Sequence, residues 1–199
     1  MNDFHSAQKV LRTAVQAGLN VLIEGAHGQG KTALVAVVTG ETQLRTAYFS
    51  ASTLDPFADL VGLPMPVAEN GEYRRVVYLR PESVTNAQVM FFDELNRAHP
   101  KVLNAVFELI QFRSINGDRL GSLRNVVAAI NPPDAGNHAQ ELEPALLDRF
   151  HVFISLLTPP QAHWFEARFG SKLGKALVDW HMTDLDEAQR ALVTNRRLE

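Results

Sequence analysis

The stretch that most constrains this chain is Gly25-Ala26-His27-Gly28-Gln29-Gly30-Lys31-Thr32. It satisfies G-x-x-x-x-G-K-[ST] at every fixed position. Glycines at this spacing let backbone N–H groups turn inward around a polyphosphate, and a helix starting at the lysine aims its positive end at the same anion. Lys31 adds a point charge, and the Thr32 hydroxyl can ligate Mg2+. The pattern is informative only between a strand and a helix, and both neighbours fit. VLIEG at 21–25 is a short apolar run stopped by glycine, which reads as a buried strand. KTALVAVVTG at 31–40 is apolar all round; β-branching alone would allow a strand, but its place after the loop predicts a buried helix. All eight loop residues form a candidate nucleotide-binding site. His27 occupies a variable position of the motif, and its side chain reads as facing solvent.

The rest of the chain alternates in the same way. A helix is predicted over 6–17, capped by Ser6, with Val10, Leu11, Ala14 and Val15 at helical spacing. TAYFSAS at 46–52, VMFF at 89–92, VVAAI at 126–130 and HVFISL after Phe150 read as strands. Pro100 sits where a helix would begin, and Leu103, Val106, Phe107 and Ile110 give that helix an apolar face. Strands alternating with helices predict a parallel sheet covered on both faces. Asp55 to Asn86, with four prolines and two glycines, is irregular; Tyr73 to Leu79 reads as one arm of a hairpin. Asn116-Gly117 is a hairpin turn signal. The sharpest composition shift, at Thr158-Pro159-Pro160, marks the expected domain boundary, and a helical tail follows.

Composition narrows the class. At 199 residues the chain is one domain, or one domain and a fragment, by the usual size of roughly 150 residues. A 46% hydrophobic, 21% charged chain excludes disorder and fibres. A net charge of −3 and a pI of about 6.2 argue against bulk nucleic-acid binding. The absence of cysteine excludes disulfides, thiolate-ligated metals and a thiol nucleophile. No apolar run approaches the roughly 18 residues that cross a bilayer, and MNDFHSAQKV lacks the pattern of a signal peptide. The expected setting is cytoplasmic, without a membrane partner. There is no G-x-S-x-G or H-E-x-x-H, and the seven histidines show no metal-ligand spacing.

A phosphate loop that supports hydrolysis needs a second carboxylate for Mg2+ and a base to orient water. VMFFDE supplies both: Asp93 and Glu94 emerge at the C-terminal end of a buried strand, where open α/β sheets bind ligands. Asp93 is the candidate metal partner, through water, and Glu94 the candidate base. Taken alone, the pair could equally cap the next helix.

Beyond the loop and this pair, four stretches resemble the AAA+ ATPases, and among them the MoxR branch and its dynein-related neighbours. LDPFADLVGLPMP is similar to the segment that follows their second strand. FFDELNRAHPKVLNAVFELIQ is similar to their extended acidic motif, including Asn96-Arg97-Ala98. AAINPPD resembles their sensor-1 strand, which makes Asn131 the polar residue between the γ-phosphate and the attacking water. EPALLDRF resembles their arginine-finger motif, which makes Arg149 the finger. Local readings stay open for both: Asn131 before Pro132-Pro133 can start a turn, and Arg149 can pair with Asp148 or Glu143. The likeness covers roughly 8–155.

The resemblance implies a three-layer αβα P-loop NTPase core over 1–158, with a central parallel sheet. A helical lid follows over 159–199, short relative to the family. TNRRLE at 194–199 is similar to the start of the sensor-2 segment, which makes Arg196 a nucleotide-binding candidate. The implied cofactors are ATP and Mg2+; absence of N-K-x-D argues against guanine. The finger acts on a neighbouring subunit in this family, so a ring of identical chains is implied, usually a hexamer. Inserts near 62–86 and 112–125 correspond to pore-facing hairpins. They carry Arg74, Arg75, Arg80, Arg113, Arg119 and Arg124, a basic annulus that could grip an acidic protein segment or a nucleic-acid backbone, or simply a solvated surface. No aromatic interleaving marks a base-stacking groove, which favours a protein client. The expected function is ATP-driven remodelling or maturation of a protein partner, with a von Willebrand A-type domain protein implied by the MoxR likeness. The alternatives are the motor subunit of a metal chelatase, a nucleic-acid motor, and a nucleotide-gated scaffold with little hydrolysis.

Overall fold

The computed structural model describes residues 4–69, 72–132, 140–156, 162–186, 189, 190 and 193. Arg196 and the expected boundary at 158–160 lie outside the described residues. Five strands form one parallel sheet in the order β2-β5-β8-β1-β9: Thr46–Ser50, Val89–Asp93, Asn125–Ile130, Val21–Glu24 and Val152–Ser155. β8 is the middle strand and β1 lies beside it, inside the edge strand β9; β1's run is apolar on both faces, as a strand covered twice must be.

The pleat divides these runs by parity. Val21, Ile23, Val89, Phe91, Val127 and Ala129 face one side. There they meet Leu11, Ala14 and Val15 of α1 (Phe4–Gln16) and Leu34, Val35 and Val38 of α2 (Lys31–Thr42). Leu22, Met90, Phe92, Val126 and Ala128 face the other side, against Val102, Val106, Leu109 and Ile110 of α4 (Pro100–Phe112). Phe91 and Phe92 thus anchor opposite cores, each worth about 1.5–3 kcal/mol of burial. A one-residue register slip in β5 would exchange them.

Of the boundaries that differ from expectation, two have a clear cause. The first helix begins at Phe4, so Ser6 lies within its first turn and does not cap it. The Phe4 ring packs against the α1–α2 core, and that packing extends the helix backwards. β2 ends at Ser50, where the chain turns and the Ala51 amide bonds to the Asp93 carbonyl at 2.8 Å.

The proline-rich stretch is more ordered than its composition suggests. Asp55 accepts the Phe57 and Ala58 amides and caps a π-helical turn, Pro56–Val61. β3 (Leu63–Glu69) and β4 (Glu72–Leu79) then pair as an antiparallel ribbon, followed by the short α3 (Glu82–Thr85). Pro64 and Pro66 are tolerated because in a two-stranded ribbon each strand has a free edge. The second hairpin pairs Ser114–Ile115 (β6) with Asp118–Arg119 (β7). Asn116 and Gly117 at its turn both have positive φ (51° and 82°), as a two-residue turn of this hand requires. Glu108 of α4 holds the turn, accepting the Ser114 hydroxyl at 2.7 Å and the Gly117 and Asn116 amides at 2.9 and 3.1 Å.

Three of the hairpin arginines are engaged in the fold. Arg80 donates to the Val61 carbonyl at 2.9 Å, the Ile115 carbonyl at 3.2 Å and the Asp118 carboxylate at 2.8 Å, tying the two hairpins together. Arg113 caps α4 and reaches Asn20 at 2.8 Å, and Arg124 donates to the Gln16 carbonyl. At least three of the six arginines expected in a basic annulus are therefore engaged in structural bonds, and Arg119 is exposed.

The chain continues through α5 (Pro144–Leu147) into β9, and then α6 (Ala162–Phe169) and α7 (Ser171–Asp179). Among the described residues no helix is long and apolar enough to cross a membrane.

Candidate functional site

The loop between β1 and α2 turns with Gly28 and Gly30 at φ 78° and 82°. A side chain at either would be strained. α2 starts at Lys31 directly after Gly30, so its first amides open onto the loop. A cleft of about 260 Å³ lies over it, lined by His27 to Ala33 together with Asp93, Glu94 and Asn131.

Lys31 is buried, and its Nζ donates to the Gly25 carbonyl at 2.6 Å, the Ala26 carbonyl at 3.0 Å and Asn131 Oδ1 at 2.7 Å. Three donors meet three acceptors. Burial lowers the Lys31 pKa, opposed by the charges of Asp93 and Glu94, and Arg97 lowers it further. Thr32 Oγ1 donates to Asp93 Oδ2 at 2.7 Å. These hard oxygen donors sit side by side and suit Mg2+, which takes oxygen ligands at about 2.0–2.1 Å and keeps several waters.

β5 carries Asp93 to the cleft, and Glu94 follows in the left-handed region at φ 56°. For a residue with a side chain that conformation costs on the order of 1–3 kcal/mol. It is imposed by the change from strand to the 3-10 turn Leu95–Arg97, where Leu95 is fully buried. The Glu94 carboxylate accepts Arg97 Nη1 at 3.2 Å and the Ser52 hydroxyl at 3.4 Å. Arg97 Nε is buried without a hydrogen-bond partner among the described residues.

Asn131 stands just past the end of β8, 3% exposed. Asn96 locks its backbone from both sides: Asn96 Nδ2 donates to the Asn131 carbonyl at 2.8 Å, and Asn96 Oδ1 accepts the Asn131 amide at 3.3 Å. Tyr48 approaches Asp93 Oδ2 at 3.5 Å from β2. Partial burial raises its pKa, and the Asp93 charge and hydrogen bond add to the rise, so the phenol stays a donor.

Arg149 is not among the residues that line the cleft. It follows α5, its Nε donates to Gln111 Oε1, and its guanidinium lies 5.1 Å from the centre of the Phe107 ring. Of the two local carboxylates weighed for it, Asp148 is in contact, at 3.5 Å.

The cleft thus collects Lys31, Thr32, Asp93, Glu94 and Asn131. Sequence reasoning gave no role to Tyr48, Ser52, Asn96 or Arg97. Asn96 and Arg97 stood inside the extended acidic motif, which was a usable signal. Nothing marked Tyr48 and Ser52, because their approach depends on the pairing of β2 with β5.

A parallel sheet of this order, with a phosphate loop after the interior strand β1 and an acidic pair at the end of β5, one strand further across β8, defines the class. The AAA domain family, dynein-related subfamily, matches residues 20–150, and the chain belongs to this family of AAA+ ATPases. It is 34% identical over 152 residues to "Putative chaperone BssE" of Thauera aromatica, a match over 72% of this chain and 52% of that protein. It is 32% identical over 165 residues to midasin of Dictyostelium discoideum, covering 76% of this chain and 3% of midasin. The chain therefore spans about half of BssE and a small part of midasin. Among solved structures, NtrX from Brucella abortus in complex with ADP shares the fold. Its TM-score is 0.59 at 12% identity, over 98% of this chain and 48% of that one.

Proposed function

We propose that this chain is the nucleotide-binding core of a ring-forming AAA+ machine that hydrolyses Mg-ATP to remodel a protein client. The observation that carries this reading is the convergence of Lys31, Thr32, Asp93, Glu94 and Asn131 on one cleft above the phosphate loop. In this reading the amides of Gly25 to Thr32 and the Lys31 ammonium hold the phosphates. Thr32 and Asp93 hold Mg2+, which when bound neutralises charge on the phosphate oxygens. Glu94 takes a proton from the attacking water, and Asn131 holds that water against the γ-phosphate. For Glu94 to act, its carboxylate must release Arg97 and Ser52 and turn within the cleft to the water.

Arg149 serves the nucleotide of a neighbouring subunit, a role supported by its absence from the lining of its own cleft. The hairpins near 62–86 and 112–125 face the pore, α6 and α7 belong to a helical lid, and Arg196 is the sensor-2 candidate. The protein client is supported by the chaperone name of BssE, and a von Willebrand A-type partner by the MoxR resemblance. A cytoplasmic setting accords with both. The engagement of Arg80, Arg113 and Arg124 within the fold weighs against a nucleic-acid motor.

The test is subunit mixing at a concentration where sizing shows an oligomer. Arg149→Ala and Lys31→Ala proteins, each with only residual turnover alone, regain much of the ATP turnover together, because some interfaces pair an intact finger with an intact loop. Mixed oligomers without turnover overturn the finger in trans.

A further inference from the structure

The guanidinium of Arg149 is held by two residues one turn apart on α4, and neither carries a charge. Gln111 accepts from Nε, and the Phe107 ring lies under Cζ at 5.1 Å. The only carboxylate in contact among the described residues is Asp148, at 3.5 Å and 83% exposed. A carboxylate seat would neutralise an arginine; an amide oxygen and a ring face fix it and leave its charge available. The bond to Gln111 uses Nε, the nitrogen nearest the chain, rather than a terminal nitrogen of the fork. Phe107 is half-buried against the core that carries α4, so the platform is rigid. Phe107 and Gln111 are i and i+4 on one helix, so they share a face.

We propose that Gln111 and Phe107 are positioning residues that preorganise Arg149 for a phosphoryl group bound to a neighbouring subunit. This rests on the finger reading above. Without the seat, each turnover must immobilise a side chain with large rotamer freedom. With it, α4 and the end of α5 carry the cation as one body. α4 also follows the acidic strand through Leu95–Arg97, so a shift at Glu94 has a short route to the same helix.

Gln111→Ala is the decisive variant, since Gln111 is exposed and its loss leaves the core intact. In oligomeric protein it lowers kcat about ten- to hundredfold, the range a misplaced catalytic group produces, with unchanged ATP affinity and melting temperature. In the Arg149→Ala background the same change has no further effect, because the two act through one group. The seat is also read directly, without nucleotide or partner. The Arg149 Nε–H of 15N-labelled protein exchanges slowly in the wild type and quickly in Gln111→Ala. Phe107→Leu removes the ring face, keeps an apolar side chain against the core and gives the smaller loss of kcat. Wild-type kcat in Gln111→Ala while Arg149→Ala keeps only residual turnover overturns the seat and leaves the finger standing. Equal losses from Gln111→Ala in the wild-type and Arg149→Ala backgrounds also overturn it. Full activity in Arg149→Ala overturns the finger reading itself.

Discussion

Lys31 Nζ and Asn131 Oδ1 lie 2.7 Å apart although the residues are separated by 100 positions. The bond joins the start of α2 to the end of β8 across the phosphate loop, and burial keeps the ammonium's affinity for its proton below the ordinary value. An arriving phosphate offers this cation better acceptors than an amide oxygen. Lys31→Ala therefore weakens Mg-ATP binding at least tenfold, about 1.4 kcal/mol. Calorimetric titration measures it, and unchanged affinity removes Lys31 from phosphate binding.

Glu94 sits in a strained conformation beside Asp93, with its carboxylate held by Arg97 and Ser52. Glu94→Gln keeps the side-chain shape and loses the base. ATP binding persists and turnover falls by roughly 10²–10⁴, the usual worth of general-base catalysis. A steady-state phosphate-release assay checks this, and a wild-type rate would place the base elsewhere.

Asn96 makes two hydrogen bonds to the backbone of Asn131 and is 2% exposed. Asn96→Ala leaves a buried amide and carbonyl without partners, at a cost of about 1–3 kcal/mol each. Chemical denaturation should show the lower midpoint. Turnover should fall more than ATP affinity, since Asn131 is freed to drift while the loop is untouched. Equal losses of both would assign Asn96 a purely structural part.

Glu108 governs the second hairpin. Burial raises its pKa, but the Gly117 amide, the Ser114 hydroxyl, the Asn116 amide and the Arg80 charge together bring it below the usual 4.5. Its stabilising contribution is present above pH 4.5 and is lost as pH falls through the lowered folded value. The protection factors of the Asn116 and Gly117 amides, which correct for the intrinsic pH dependence of exchange, should therefore fall as the solution is acidified through that range. In Glu108→Gln they should be lower than wild type at neutral pH, without the acid-dependent fall. A parallel fall in both proteins would detach the hairpin from this carboxylate.

Much of this architecture was written locally. The apolar runs at Val21, Val89 and Val126, each closed by a polar or glycine stop, determined buried parallel strands. Gly28 and Gly30 determined the loop, since their conformations are ones other residues resist. Asp93 and Glu94 were legible because a buried strand ending in two acids accompanies a complete phosphate loop; alone the pair could equally cap a helix. Local pattern failed where pairing decides. Leu63–Glu69 carries two prolines and does not read as a strand, yet it pairs with Glu72–Leu79 because a ribbon needs donors on only one edge. Ser6 had the chemistry of a cap, but the packing of Phe4 moved the helix start past it. Arg80, Arg113 and Arg124 read as free surface charge, and each was drawn to carbonyls or carboxylates distant in sequence. The bonds of Lys31 to Asn131, Asn96 to Asn131, Ser52 to Glu94 and Gln111 to Arg149 depend on the order in which strands line up. Periodicity reports which face of an element is apolar, but a hydrogen bond forms between neighbours in space. Those neighbours were chosen only when the sheet closed in the order β2-β5-β8-β1-β9.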